Sequence, residues 1–83
     1  MKHYVLVLDW AKDDSGEQGV SILAVAHSLP EAKKAFAEHI DEERAYADNS
    51  NWEVYTETDT DFNAGNDGYY NCDHTHLYIE EVA

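Results

Sequence analysis

Beyond Arg44 this sequence contains no lysine and no arginine. All five basic side chains (Lys2, Lys12, Lys33, Lys34 and Arg44) lie in the first 44 residues beside nine acids, and residues 45–83 add nine more acids with no counter-charge. The resulting net charge of −13 on 83 residues opposes compaction and repels phosphate. It argues against direct nucleic-acid binding and against an anionic membrane surface, and it draws in basic partners.

Cysteine is almost absent. With Cys72 alone no intramolecular disulfide can form, so the chain lacks the staples of small secreted domains and a reducing compartment is expected. Long apolar runs are missing too, none approaching the roughly 20 residues of a membrane span. Met1-Lys2-His3-Tyr4 leads directly into a strand-like segment without the regions of a signal peptide, and a cytoplasmic location is expected. A phosphate cradle is also lacking, because Gly16-Glu17-Gln18-Gly19 has no following lysine and precedes a strand.

Apolar content is not reduced. Hydrophobic residues make up 43% of the chain, close to a globular norm of about 45–50% counted with glycine, so the acidity has not displaced a core. Ten aromatics (six Tyr, two Trp, two Phe) supply large buried areas. One folded domain over residues 1–83 is expected, since a chain of this length has material for a single core.

His3 to Trp10 is apolar on both alternating faces, as for a strand in the middle of a sheet. After the polar, glycine-containing stretch 12–19, Val20 to Ala26 reads as its hairpin partner. Ser28-Leu29-Pro30-Glu31 is a helix-start signature: the serine hydroxyl caps an amide three residues on, the glutamate reaches back, and proline suits the first turn. Leu29, Ala32, Phe36, Ile40 and Ala47 then mark an amphipathic helix to about residue 48, closed by Asp48-Asn49-Ser50-Asn51. Trp52 to Thr58 alternates as a half-buried strand with Glu53, Tyr55 and Glu57 on the wet side. Residues 60–68 read as loop, and residues 69–82 read as the last strand. The pattern predicts an α+β fold of order ββαββ, a four-stranded antiparallel sheet with one amphipathic helix packed on one face.

The acids give the leading functional candidates. Asp41, Glu42, Glu43 and Asp48 occupy the last turns of the helix, where the macrodipole favours bases by about 0.3–1 kcal/mol each. Glu53, Glu57, Asp59, Asp61 and Asp67 follow. Together these nine carboxylates can imitate a phosphate array and occupy the basic groove of a nucleic-acid-handling protein; a solubilising surface is the plainer alternative.

Other constellations point less far. Asp59-Thr60-Asp61-Phe62-Asn63 resembles the start of a calcium loop, but Ala64 and Tyr70 stand where glycine and a bidentate glutamate are needed. Cys72, His74 and His76 alternate along one strand face, and two of them can grip one metal ion, so a small metal-binding module is a second reading. Cys72 with His74 also suggests a nucleophile, opposed by neighbouring carboxylates and by the lack of an oxyanion-holding turn. A homo-oligomer paired through a sheet edge or through Tyr55, Tyr69 and Tyr78 is a third. No catalytic residue and no cofactor are assigned.

In size, acidity and α+β layering the chain resembles the small acidic inhibitors of phages and mobile elements, anti-CRISPR and anti-restriction proteins among them, several of which imitate DNA. The resemblance rests on composition and carries over no residue role. It implies a non-enzymatic inhibitor whose partner is a nuclease or another nucleic-acid-binding protein.

Overall fold

Leu6 and Leu8 on one face of the first strand, with Val5 and Val7 on the other, require neighbours on both flanks, and the chain supplies them. The computed structural model describes residues 2–11, 18–66 and 73–82. On these the elements are β1 (His3–Ala11), β2 (Gln18–Ala26), α1 (Leu29–Asn49), β3 (Glu53–Glu57), β4 (Asp61–Gly65) and β5 (His74–Val82). The strands form one antiparallel sheet in the order β2-β1-β5-β4-β3. The helix lies across one face of it, packing chiefly on β5, β1 and β2.

The α+β class and the single helix stand as expected, but the sheet has five strands and the order is ββαβββ. The additional strand, Asp61–Gly65, falls inside the expected loop. Its composition, Asp-Phe-Asn-Ala-Gly, has low strand propensity. Position overrides it: β4 is bonded on both sides, by β3 and β5, and its alternate residues Phe62 and Ala64 are completely buried. A three-residue connection joins it to β3, closed by Thr58 N–H donating to the Asp61 carbonyl at 2.8 Å. Gly65 ends β4 where a Cβ would come within 2.7 Å of the Asp73 carbonyl oxygen.

Strand β3 is shorter than the alternation implied, and it is an edge. A register shift between Val54 and Thr56 breaks its period of two, setting Glu57 opposite Phe62, on the helix side. Val54 and Tyr55 are both about half exposed.

The helix is fixed at both ends by its own sequence. Ser28 Oγ accepts from the Glu31 amide at 3.3 Å, and Glu31 Oε2 accepts from the His27 amide at 2.9 Å, the reciprocal pattern expected of this segment. At the other end Asn51 takes φ = 57°. There the Trp52 amide donates to Ala47 O at 2.8 Å and the Asn51 amide to Asp48 O at 3.2 Å, a Schellman closure with asparagine at the left-handed position. Trp52 then turns back onto Tyr46, the ring centroids 5.1 Å apart.

The core is a single seam. Phe36, Ile40 and Ala47 of the helix meet Leu6, Leu77, Phe62 and Ala64 of the three central strands, with Leu8, Leu23, Trp52 and Ile79 around them. Among the described residues, no helix is long and apolar enough to cross a membrane.

The left-handed Asn51 yields a direct test. Asn51→Ala places a Cβ-bearing residue without a polar side chain at φ = 57° and lowers stability by about 1 kcal/mol, which is about 4–8 °C in Tm for a domain of this size. Asn51→Gly retains or raises the melting temperature, as read by circular dichroism.

Candidate functional site

One flank of the helix faces the β3–β4 hairpin across an open groove. Lys33, Ala37, Asp41, Arg44 and Asp48 lie on that flank, and Val54, Glu57, Thr58 and Asp59 lie opposite. Arg44 divides the groove in two. Its guanidinium contacts Glu57 at 2.5 Å and Asp41 at 3.2 Å, which ties the helix to β3. On one side is a hollow of about 410 Å³ lined by Ala47, Asp48, Trp52 and Val54. On the other is one of about 300 Å³ lined by Phe36, Ile40, Asp41 and Asp59. Lys33 reaches Asp59 at 3.1 Å across its far end.

Four of the nine acids singled out from the sequence, Asp41, Asp48, Glu57 and Asp59, therefore share this groove with two cations. The remainder disperse. Glu42 is exposed, and two positions before Arg44 it falls on the outward side of the helix. Glu53 is paired with Gly65 and Asp61 with Tyr78, which sets both on the face of the sheet away from the helix. Asp67 lies outside the described residues. Exposed ion pairs of the Arg44 and Lys33 kind each contribute about 0–1 kcal/mol, so they shape the groove more than they hold the fold.

Glu43 must be withdrawn from the acidic surface. It is only 6% exposed and faces the sheet, where its Oε1 accepts from the hydroxyl of fully buried Thr75 at 2.8 Å. The helical stripe shows why: Glu43 is three residues after Ile40 and four before Ala47, the spacing that returns a side chain to the core. Leu29, expected in the stripe, is instead 37% exposed. A buried carboxylate is tolerated only where hydrogen bonds satisfy it.

Among the described residues, the histidine strand assembles no metal site. His74 and His76 share the face away from the helix as expected, but each meets its own carboxylate. His74 Nε2 lies 3.3 Å from Asp9, and His76 Nε2 lies 2.8 Å from Asp61. Cys72 lies outside the described residues. Among the described residues no group of three metal-ligating side chains converges. The calcium-loop resemblance dissolves likewise, since Asp61, Phe62 and Asn63 are strand residues and Asp59 is paired with Lys33. Of the aromatics offered for self-association, Tyr55 is about half exposed, Tyr78 packs on His76 with ring centroids 4.4 Å apart, and Tyr69 lies outside the described residues.

Sequence reasoning missed the double role of Arg44. Its signal was present in Asp41 at i−3, a spacing that brings helix side chains together. Its partner Glu57 depends on the β3 bulge, which no local pattern announces.

Tyr78 sits among carboxylates. Burial first, then repulsion from Glu80, Asp9 and Asp61, pushes its phenol above the ordinary value of 10.0. The folded protein thus holds this proton more tightly than the unfolded chain does. The contribution is intact below about pH 10 and is lost as pH rises through the elevated value. Denaturation measured across alkaline pH is expected to show that decline, and Tyr78→Phe to remove it. Thr75→Val, which takes the hydroxyl from the buried Glu43 carboxylate, is expected to cost about 1.5–3 kcal/mol in urea unfolding. Glu43→Leu added to it recovers part of the loss.

Comparison of the chain with protein-family models, with characterised proteins and with solved structures finds no match.

Proposed function

We propose that this protein is a non-enzymatic acidic binding protein that occupies the basic groove of a nucleic-acid-handling protein, its carboxylates standing where phosphates would bind. One observation carries the reading: Asp41 and Asp48 of the helix and Glu57 and Asp59 of the β3–β4 hairpin border one open groove. These acids come from separate elements. Asp48, moreover, sits in the last helical turn, where the dipole disfavours an acid and no base stands. Local helix stability does not select such a placement, whereas attraction of a cationic partner does.

The site is narrower than the acidity as a whole. Asp41, Asp48, Glu57 and Asp59 form it, and Arg44 and Lys33 temper it. A partner rich in arginine gains most by competing with Arg44 for Asp41 and Glu57, because planar guanidinium groups bind carboxylates in a two-pronged geometry. Glu53 and Asp61, on the other face, contribute to long-range attraction rather than to contact.

Displacement of duplex DNA from a panel of nucleases and DNA-binding proteins, at stepped salt concentrations, tests the proposal. At least one member is expected to release DNA at low salt, and the direct affinity of this protein for that member, measured without DNA, to fall as salt rises. Asp41→Lys with Asp48→Lys should weaken that displacement about tenfold or more, equivalent to about 1.4 kcal/mol. Arg44→Gln, which removes the internal competitor, should strengthen it. A panel in which no DNA is displaced at low salt sinks the reading, and so does indifference to all three substitutions.

A further inference from the structure

The two hollows of the groove differ in what they offer a ligand. In the smaller one Asp41 and Asp59 are already engaged, by Arg44 and Lys33. In the larger one, of about 410 Å³, Asp48 is exposed and makes no ion pair among the described residues. Ala47, almost fully buried, gives this hollow an apolar lining together with Trp52 and Val54, and Glu57 and Arg44 border it as well. Trp52 is held from two directions. Its amide donates to Ala47 O at 2.8 Å, and its ring packs on Tyr46 with centroids 5.1 Å apart and planes tilted by 59°. The indole is therefore in place before any ligand arrives, which lowers the ordering cost of binding against it.

We propose that the larger hollow is an anchor for one arginine side chain of the basic partner, its guanidinium lying against the Trp52 indole and pairing with Asp48 while its methylene stem covers Ala47 and Val54. The inference rests on the binding function proposed above and names the side chain that enters the groove. Charge selects a cation. Asp41, Asp48 and Glu57 stand here against the single guanidinium of Arg44, so a phosphate is repelled, and an apolar side chain would strip water from Asp48 without replacing it. The lining then selects among cations. A lysine ammonium is compact and strongly hydrated, and it loses that water at a cost beside apolar surface. A guanidinium is planar and more weakly hydrated, stacks on an aromatic face and meets a carboxylate in its own plane. The groove already displays this match one helical turn earlier, where Arg44 lies between Asp41 of the helix and Glu57 of β3.

NMR titration of the full chain with two acetylated and amidated peptides, Gly-Arg-Gly and Gly-Lys-Gly, tests it without DNA or a nuclease. The chain has two tryptophans, Trp10 and Trp52, so the Trp52 indole N–H is one of two such signals and Trp10 serves as the internal control. The arginine peptide is expected to shift the Trp52 signal saturably and to bind about threefold or more tighter than the lysine peptide. Asp48→Asn should weaken the arginine peptide about twofold to fivefold, and Val54→Lys, which sets a fixed ammonium on the wall of the hollow, should abolish the shift. Both positions are exposed, so both variants should melt near the parent temperature. A Trp52 signal unmoved throughout the titration, an equal response to lysine and arginine, or an affinity indifferent to Asp48→Asn overturns the anchor. DNA displacement without any Trp52 response overturns the anchor alone. A Trp52 response with no DNA displaced from any member of the panel overturns the larger reading and leaves the arginine site standing.

Discussion

Everything in this molecule depends on one apolar seam holding against a large excess of like charge. Phe36 and Ile40 of the helix, Leu6 and Leu77 of the two central strands and Phe62 of β4 are almost completely removed from water. Losing a buried phenylalanine side chain costs about 3–5 kcal/mol, a large share of the 5–15 kcal/mol available to an ordinary domain. Among the described residues there is no second core to share the burden. The seam therefore fixes where the helix lies, and the helix position in turn decides which acids meet, which are paired and which stand alone.

That dependence explains the uneven fate of the carboxylates. Those on the flank facing the hairpin are drawn into a groove in which Arg44 and Lys33 offset part of their repulsion. Glu43, on the buried stripe, is pulled inside and satisfied by Thr75. Those on the far face of the sheet meet histidines, His74 for Asp9 and His76 for Asp61. The pairs are local answers to a global excess of charge, and apart from Asp41–Arg44 within the helix each joins two different parts of the fold. Arg44 is the clearest case: by bridging Asp41 and Glu57 it links the last turns of the helix to the edge strand.

How much of this the sequence reveals follows from the range of the forces involved. The helix was legible because its signals are local: Ser28, Pro30 and Glu31 act within one turn, and the stripe repeats over five turns. Even there the spacing from Ile40 to Ala47 makes Glu43 a core position, against the surface preference of its residue type. Strand β4 was hidden because Asp61, Asn63 and Gly65 are turn-formers by composition, while the ladders that make them a strand come from residues at a distance. The groove was half legible. Asp41 and Asp48 could be placed on the helix, whereas Glu57 reaches the helix side only through the β3 bulge.

The two edges of the sheet show how charge substitutes for structure in a small domain. Strand β3 carries Glu53, Glu57 and a bulge, devices that discourage pairing with another chain. In a protein of net charge −13 such an edge repels like-charged surfaces and attracts cations. Strand β2 carries no charge and exposes three branched apolar side chains. The sheet is thus polarised along its strand order. Like charges guard the β3 edge, whereas the β2 edge carries none.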